Sequence, residues 1–514
     1  MKKLLLAFLT ASFFSAYAQD ADTYNADVPN HYFSYTLKLT KEGTGFTPPV
    51  ASRAFGFTGL ALYEAVVAGI PSMTSTVGAI PEFTNLTPPD GNANYHWPTV
   101  ANNALASVID SLWENASQIN NDSLHDIRDY YNTLFEGQIS AQDYADSKAY
   151  GEAIGNDVFQ FSKTDGGHQS YDSNFPTSYV PPVAPGLWVP YGSQTALQPY
   201  WGSHRPFVTD DTTGVIPGPP PAFSTDVNSP FYAYAFQVYY QGNNNTADQV
   251  TIAQYWADGG GSITPPGHSI AMLHSILIHE NSNLETSAIA YAKMGLALSD
   301  AFLACWKTKY IYNCTRPITY IQSNIDANWV SLIGTPPFPE YSSGHSSQSG
   351  AMSEVMESLF GDSYAFVDST HGTNFGGPRS FISFDEAADE AAVSRLYGGI
   401  HFEFGNTAGL QIGRQIGENI NDLFEGLAIG VAENNAENLI FEMYPNPASD
   451  VVTFYGKGLK IDRLEIFNMM GQQVAVNTSS SGRMDVSGFA SGVYAINAYD
   501  LSKGVMVSKT LVKK

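Results

Sequence analysis

Three short blocks of the sequence combine cations, histidines and small polar residues inside otherwise apolar stretches. Their chemically active members are Lys309 and Arg316 in "KYIYNCTRP", Ser343, Gly344 and His345 in "YSSGHS", and Arg395 and His401 in "SRLYGGIH". A buried Lys or Arg is strongly unfavourable unless an opposite charge or hydrogen bonds compensate it. Because no cluster of carboxylates stands beside these cations in the sequence, the blocks predict that they converge on a bound anion carrying more than one negative charge.

Tetrahedral oxyanions suit this set of side chains, since two planar guanidinium groups and one ammonium group match their geometry and charge. The apolar residues of "GAMSEVMESLF" repeat at helical spacing. This pattern puts Ser343 and Gly344 at the first turn of a helix, where free backbone N–H groups attract anions. By itself the tripeptide is also explained by an N-cap serine, a turn glycine and a surface histidine. The prediction of an oxyanion site therefore depends on the cations.

The order of the blocks, K-x6-R-P, S-G-H and S-R-x5-H, resembles the superfamily of vanadium-dependent haloperoxidases and type 2 phosphatidic acid phosphatases. Each block alone is a weak signal, but all three occur in that order, and the resemblance covers residues 240–425. It implies vanadate as the cofactor and oxidation of halide by hydrogen peroxide to hypohalous acid. It also implies residue roles: vanadate oxygens held by Lys309, Arg316, Ser343, Gly344 and Arg395, vanadium bound by His401, and catalysis by His345, as acid and base, and Lys309.

Two substitutions favour the haloperoxidase branch over the phosphatase branch. The phosphatases carry P-S-G-H, whereas here Ser342 replaces the proline, and they tend to have an aspartate four residues after the last histidine, where this chain has Gly405. The group that would orient His401 is therefore open, with Glu403 as a candidate. A secreted acid phosphatase with a phosphohistidine intermediate is the alternative function. A third possibility is a protein that binds the anion without catalysis. It is less favoured because it gives no chemical role to His345 and His401.

Two aromatic residues bear on the choice of halide. Trp306 resembles the corresponding residue of bacterial iodoperoxidases of marine Bacteroidetes, and Phe338 matches a position that is often Phe in chloroperoxidases and bacterial iodoperoxidases but His in algal bromoperoxidases. The resemblance implies iodide as the substrate, with bromide as a second possibility, although packing in the core would explain both rings as well. Trp256 and His268, in "YWADGGGSITPPGH", are further candidates for the lining of the pocket.

Long helices are needed to position these blocks, and the hydrophobic pattern predicts them. Apolar residues recur at helical spacing over 246–259, 269–310, 346–360, 385–400 and 406–427, whereas the proline-rich stretch 165–230 predicts irregular structure. The predicted fold class is therefore mainly α, a bundle of long helices over residues 19–428. After a polar linker at 429–441, short β-type runs separated by Gly, Asn and Ser predict a small β-sandwich at 442–514.

The C-terminal stretch carries a resemblance of its own. Its segments "YPNPASD", "NMMGQQV" and "SGVYAI" and its basic end "KTLVKK" resemble the C-terminal sorting domain of the type IX secretion system of Bacteroidetes. This resemblance implies recognition by the type IX machinery and export to the cell surface or the exterior. The N-terminus agrees with export, because "MKKLLLAFLTASFFSAYA" has the charged start, apolar run and small residues of a signal peptide spanning residues 1–18.

The composition excludes several classes of partner. The chain has 24 Lys+Arg and 49 Asp+Glu, a formal net charge of -25, which argues against nucleic acid and acidic membrane surfaces. No stretch after the signal peptide predicts a membrane span. The two cysteines exclude a disulfide scaffold. If one helix carries both Cys305 and Cys314, about 13 Å of axial rise separates them and both stay free thiols.

Overall fold

The computed structural model describes residues 19–208, 214–428, 440–457, 461, 463–468, 472–477, 483–500 and 505–514. The chain forms two compact units, Met1–Ala428 and Ile429–Lys514. The predicted signal peptide at 1–18 and most of the predicted linker, residues 429–439, lie outside the described residues.

Helices dominate the first unit, which confirms the predicted fold class. Its described residues form α1 (Asp27–Glu42), α2 (Pro48–Val66), α3 (Trp97–Leu112), α4 (Gln118–Glu136), α5 (Ala141–Ser162), α6 (Pro230–Asn244), α7 (Ala247–Tyr255), α8 (Thr264–His279), α9 (Leu284–Tyr312), α10 (Pro317–Asn324), α11 (Gly344–Phe360), α12 (Phe384–Tyr397) and α13 (Glu403–Leu427). Between α11 and α12, two short antiparallel strands pair as β1 (Phe366–Asp368) and β2 (Arg379–Phe381).

The central helix of this unit is α9. Its alanine-rich sequence lets neighbouring helices approach closely, and a Cβ at Gly295 would lie only 2.5 Å from the Phe55 carbonyl oxygen of α2. By length and hydropathy α9 could cross a membrane, but 94% of its most apolar segment is buried inside the unit. It is therefore the core helix that its composition predicts, and its C-terminal turns hold Lys309 in the interior.

Glycines also seat α11 against α13. A Cβ at Gly409 would lie 2.6 Å from the Ser343 carbonyl oxygen, and one at Gly413 would come even closer to that of Ser347. Only a residue without a side chain fits at such contacts. The first turn of α11, which contains the S-G-H block, is thereby held against the first half of α13.

Two helix predictions differ from the structure. The stretch 269–310 is divided between α8 and α9 at Asn281, whose φ is 50°, and Asn283, whose side chain caps α9 by accepting a backbone N–H. The helix α1 is not among the predicted helices, although its buried residues Val28, Tyr32, Tyr35 and Leu39 recur at helical spacing. Tertiary packing stabilises this helix, with the Phe33 ring stacked on Tyr291 at 3.7 Å between centroids.

The two cysteines stay free although the condition of a single helix is not met. The helix α9 ends at Tyr312, between Cys305 and Cys314. Both thiols are nevertheless free and buried. The irregular stretch agrees with its prediction, since the described residues of 165–229 contain only short 3-10 turns as regular structure.

The second unit contains antiparallel strands that form two sheets. Its described strands are β3 (Ile440–Tyr444), β4 (Val451–Lys457), β5 (Arg463–Asn468), β6 (Gln473–Asn477), β7 (Arg483–Asp485), β8 (Gly492–Asp500) and β9 (Val505–Lys513). One sheet has the order β3-β4-β7 and the other β6-β5-β8-β9. Alternate residues of both sheets, such as Phe454 and Ile496, share one buried cluster. This arrangement agrees with the predicted small β-sandwich.

Candidate active site

The three predicted cations converge in the interior of the helical unit. Lys309 comes from α9, Arg316 immediately precedes α10 and Arg395 lies on α12, and each is at most 1% exposed. Burial lowers the pKa of Lys309 to about 8 and that of each arginine to about 10. The charge of Arg316 adds to the lowering of the pKa of both other cations, which reflects their proximity. Such a buried cluster of like charges needs a compensating anion.

His401 presents an unprotonated ring nitrogen to these cations. Its Nε2 lies 3.1 Å from Arg316 Nη1, and since a guanidinium group can only donate, Nε2 must be the acceptor. The proton is then on Nδ1, which donates to Glu340 Oε1 at 2.8 Å. Burial and the nearby cations lower the pKa of His401 well below its usual range, so the ring is neutral. A neutral imidazole with a fixed lone pair is what a metal ligand requires.

His345 adopts the same tautomer for the same reason. Its Nε2 lies 3.2 Å from Arg395 Nη1 and must accept, while its ring also hydrogen-bonds with the backbone of Ala257, whose carbonyl can only accept. Burial and the charge of Arg395 lower the pKa of His345 well below its usual range. The side chain is only partly buried and lines a cavity. It can therefore exchange protons with a molecule bound there.

A carboxylate that the sequence analysis did not identify, Glu340, holds His401 in place. Glu340 is fully buried, and its Oε1 accepts hydrogen bonds from His401 Nδ1 and, at 3.1 Å, from the Phe402 backbone N–H. Burial raises the pKa of Glu340 to about 7 against the opposing effect of Lys309 and Arg316. Two N–H donors on one oxygen favour the ionised carboxylate, which then fixes both the tautomer and the orientation of the His401 ring.

Gly405 makes room for this carboxylate. A Cβ at Gly405 would collide with Glu340 Oε1, so the carboxylate fills the space beside a position where the phosphatases tend to have aspartate. The candidate Glu403 is wrong, because its side chain is exposed and accepts a hydrogen bond from Gln237 at 2.9 Å. A signal for Glu340 was present in the sequence, since it is the only acidic residue in 327–353.

Lys309 is predicted to contact the anion directly, but its ammonium group is hydrogen-bonded to the protein backbone. Its Nζ donates to the backbone carbonyl oxygens of Pro339 and Glu340, each at 3.0 Å, and to that of Ser342. The turn that leads into the S-G-H block thus uses all three donors of the ammonium group. A direct hydrogen bond from Lys309 to a bound oxyanion requires Nζ to release one of these carbonyls.

The S-G-H block lies at the N-terminus of α11, as predicted. Ser343 is the N-cap residue: its Oγ accepts the Ser346 N–H at 3.4 Å and its own N–H donates to the Gly405 carbonyl at 3.0 Å. Gly344 is the first residue of the helix and lines the cavity. The N–H groups of a first helical turn have no acceptor within the helix, so this turn can bind an anion.

A cavity of about 580 Å³ opens onto these residues. Gly344, His345, Arg395 and His401 line it, and most of its remaining wall is apolar, including Phe46, Phe175, Leu197, Phe302, Trp306 and Phe338. The rings of the two predicted halide residues, Trp306 and Phe338, lie 4.9 Å apart in this wall. Anions in the cavity would therefore meet aromatic surface next to His345.

Two other predicted lining residues, Trp256 and His268, lie behind the wall. Trp256 is fully buried, its Nε1 donates to Glu390 Oε1 at 2.9 Å, and its ring stacks on His268 with 4.7 Å between centroids. The loop that follows α7 instead contributes Asp258 to the wall of the cavity. The prediction that these two residues line the pocket is therefore wrong.

Comparisons with known proteins place the chain in a family. The family model for the VCPO second helical-bundle domain matches residues 290–428, and that for the secretion system C-terminal sorting domain matches residues 442–514. No curated protein sequence matches the chain. Among solved structures, the first bacterial vanadium-dependent iodoperoxidase is 31% identical, with a TM-score of 0.70 over 79% of this chain and 98% of that one. The chain belongs to the vanadium-dependent haloperoxidases.

Two further solved structures share the fold of this haloperoxidase. They are the holo and apo forms of a bacterial vanadium-dependent chloroperoxidase, with TM-scores of 0.57 and 0.58 and 17% identity each. The holo form matches over 74% of this chain and 93% of its own, and the apo form over 79% and 99%. At this identity the likeness concerns the fold alone.

Vanadium-dependent haloperoxidases bind vanadate, and the donors of this site fit that oxyanion. Arg316 Nη2 is a buried donor without a hydrogen-bond partner, which a vanadate oxygen would supply. The neutral His401 offers a lone pair for the metal, and the guanidinium groups offer the planar donor pairs that oxyanions favour. Three buried cations and a helix N-terminus compensate the negative charge of vanadate.

Proposed function

We propose that this vanadium-dependent haloperoxidase oxidises iodide in preference to bromide and chloride. The observation that carries the proposal is the aromatic pair of Trp306 and Phe338 in the cavity wall that also contains His345. An ion must lose much of its hydration shell to enter an apolar cavity, and iodide, the largest of these halides, holds its shell most weakly. The 31% identity to a bacterial iodoperoxidase supports the same choice.

We assign the binding of vanadate oxygens to the predicted set, Lys309, Arg316, Ser343, Gly344 and Arg395, and the bond to vanadium to His401 Nε2. Bound vanadium(V) supplies Lewis acidity without a change of oxidation state. The cations neutralise the oxyanion and oppose the build-up of negative charge during halide attack. Glu340 keeps the proton of His401 on Nδ1, so that Nε2 stays available to the metal.

His345 is assigned to proton transfer. Oxidation of iodide by hydrogen peroxide to hypoiodous acid and water consumes one proton per turnover, so a group in the cavity must accept and return protons. The Nε2 of His345 is unprotonated beside Arg395, and the Ala257 backbone holds the opposite side of the ring. This neutral imidazole can take a proton from entering peroxide and give it to the departing oxygen.

Acid phosphatase chemistry is a second candidate because of Glu340. A phosphohistidine mechanism requires a carboxylate that orients the nucleophilic histidine, and Glu340 supplies one to His401. Phosphate and vanadate share shape and similar charge, so the same cations suit both. The nucleophile would be His401 Nε2, with His345 as the acid.

A reconstitution assay tests the proposed substrate. Full-length protein stripped of vanadium should gain peroxide-dependent iodide oxidation when orthovanadate is added, measured as triiodide formation, and should oxidise bromide more slowly and chloride least. Excess phosphate added before vanadate should block the gain, since both compete for one set of cations; added afterwards, it should act slowly, because His401 bonds the metal.

Two outcomes would contradict the proposal. Bromide or chloride turnover faster than iodide at equal concentration would remove the proposed preference. Hydrolysis of a phosphomonoester by the vanadium-free protein, with no halide oxidation after reconstitution, would favour the phosphatase. If phosphate has no effect in either order of addition, the three cations do not form a shared oxyanion site.

We further propose that residues 1–18 are a cleaved signal peptide and that residues 442–514 are recognised by the type IX secretion machinery. The match of this tail to a secretion system C-terminal sorting domain supports export to the cell surface or the exterior. The helical domain, residues 19–428, would then be the exported enzyme. The linker at 429–441 would join it to the sorting domain.

Deleting residues 430–514 should leave both iodide oxidation and the thermal unfolding of the helical unit unchanged. All the site residues lie in the compact unit that ends at Ala428. The measurement compares reconstituted kcat and Tm of the truncated and full-length proteins. Loss of activity in a truncated protein that remains folded would contradict the division into domains.

A further inference from the structure

A second polar cluster lies next to the proposed vanadate site and shares the cavity wall with it through Asp258. It consists of Asp258 in the loop after α7, His268 in α8, and His371 in the turn after β1, with Asp368 at the end of β1. One ligand atom from each of Asp258, His268 and His371 lies within 4.8 Å of the others. We define these three residues as the Asp-His-His cluster.

His268 is held on both sides by carboxylates. Its Nδ1 lies 2.8 Å from Asp258 Oδ2 and its Nε2 lies 2.7 Å from Asp368 Oδ2, and the imidazole is fully buried. A neutral imidazole carries one N–H, which can satisfy only one of two acceptors. The other side must therefore hold either a second proton or a different cation.

Two further atoms of the cluster face each other. Asp258 Oδ1 and His371 Nε2 are buried and lie 3.3 Å apart, in a contact with poor hydrogen-bond geometry. The Asp258 side chain is 1% exposed and that of His371 14%. A hydrogen bond needs the proton close to the line between the two atoms. A metal ion binds lone pairs that point to a common centre, and it would account for a close pair whose geometry is poor for a hydrogen bond.

We propose that Asp258, His268 and His371 form a zinc site. Two imidazole nitrogens and one carboxylate oxygen are a ligand set that Zn²⁺ favours, whereas Ca²⁺ and Mg²⁺ require mostly oxygen ligands. Ligands at about 2.0 Å from a tetrahedral zinc lie roughly 3.3 Å from one another. The three ligand atoms here lie within 4.8 Å of one another, so they must draw closer together when the ion binds. Three protein ligands leave a fourth position for water.

Asp368 supports this assignment from outside the cluster. Its Oδ2 accepts the Nε2–H of His268, and its Oδ1 accepts the backbone N–H and the hydroxyl of Thr370 at 3.0 and 2.6 Å. A carboxylate that accepts the second N–H of a metal-bound histidine fixes the ring and strengthens the ligand. The two aspartates and Zn²⁺ together are neutral, with both histidines uncharged.

Two carboxylates distinguish this site from the adjacent vanadate site. They attract Zn²⁺, whereas Lys309, Arg316 and Arg395 repel it. The effect of Asp258 on the pKa of Arg395 shows that the two sites are close together. The loop that contains Asp258 also contains Ala257, whose backbone holds the His345 ring. Zinc would therefore tie the wall of the cavity, and through it the acid–base histidine, to α8 and to the turn after β1.

Protons are the competing occupants of the cluster. Burial lowers the pKa of His268, but the two carboxylates outweigh it and raise that pKa to about 10. A doubly protonated His268 beside a protonated His371 would carry the same total charge as the zinc form. Only a metal, however, gives a stoichiometric content that depends on His371.

Metal analysis of the full-length protein tests the proposal. Protein stripped with a chelator, loaded with Zn²⁺ alone and freed of excess metal should retain stoichiometric zinc. The His371→Ala variant should lose it, whereas His279→Ala, at the exposed end of α8, and His401→Ala, in the proposed vanadate site, should keep it. Zinc should also raise the Tm of the wild type and of His279→Ala but not that of His371→Ala.

Cobalt provides a readout that does not depend on whether a variant folds. Co²⁺-loaded wild-type protein should show the intense visible absorption of a four-coordinate site, and added Zn²⁺ should remove it. Zinc content at trace level in the wild type, equal zinc content in wild type and folded His371→Ala, or an octahedral Co²⁺ spectrum would each overturn the zinc site and leave protons as the occupants.

Discussion

His401→Ala should abolish vanadate retention, whereas His345→Ala should keep much of the vanadate and lose most of the turnover. In the first variant the bond between protein and metal is absent, and the cations alone must hold the oxyanion. In the second the cations and His401 remain, but the proton carrier is lost, and such groups contribute roughly 10²- to 10⁴-fold to rates. The measurements are vanadium content after dialysis and kcat for iodide in each reconstituted variant.

A matched control for these two variants is His125→Ala, because His125 lies on α4 and its side chain is 41% exposed. It should retain both vanadium and turnover. Equal loss of vanadium in His401→Ala and His345→Ala would contradict the assigned roles. Full turnover in His345→Ala would place the proton carrier elsewhere in the cavity.

The convergence of the cations that we propose to bind the anion could be predicted from sequence, because each lies in a block with fixed spacing. Lys309 and Arg316, for example, are seven residues apart at the end of α9 and the start of α10, so one helix terminus brings them together. Cations in apolar stretches of sequence also indicate that a negative charge must bind beside them. No knowledge of the tertiary fold is required to draw that inference.

Glu340 could not be predicted in the same way, because its partner His401 is 61 residues distant along the chain. Their contact depends on the packing of α11 against α13, which glycine contacts such as that of Gly409 determine. Position 405 lacks the aspartate that the phosphatases tend to have, which indicated that another residue orients the His401 ring. It did not indicate which residue. A search for isolated acids in uncharged stretches would have found Glu340.

The boundary between α8 and α9 depends on polar residues that an apolar pattern does not weigh. The five polar residues of 279–283, HENSN, interrupt the apolar periodicity. A left-handed residue and a side-chain cap in this stretch end one helix and start the next. The turn at 280–283 separates α8 from α9, so that α9 runs through the centre of the unit as a helix of its own. Local polar chemistry therefore decides the architecture that a hydrophobic pattern only outlines.

The replacement Glu340→Ala should weaken vanadate binding roughly 10- to 100-fold, which corresponds to about 1.4 to 2.7 kcal/mol. Without the carboxylate, the His401 ring can rotate and its proton can move to Nε2, the atom that must bind the metal. Glu340→Gln should lose less, because its amide oxygen can still accept from His401 Nδ1 and from the Phe402 N–H. Equilibrium dialysis with vanadate gives the Kd of each variant.

Gly405 allows the positioning role of the carboxylate to be separated from a merely structural one. In the wild-type protein Gly405→Asp should lower Tm, since its Cβ collides with the Glu340 carboxylate. In the Glu340→Ala background the same change places a new carboxylate beside the vacated space, and it should restore part of the vanadate affinity. The double variant should therefore bind vanadate more tightly than Glu340→Ala alone.

This reciprocal result would be expected only if the function of Glu340 is to present a carboxylate oxygen to His401 Nδ1. A structural role in filling the core predicts instead that the Tm of the double variant recovers while its vanadate Kd does not. If Glu340→Ala binds vanadate as tightly as the wild type, His401 needs no orienting carboxylate. The hydrogen bond from Arg316 Nη1 to His401 Nε2, at 3.1 Å, would then suffice to position the ring.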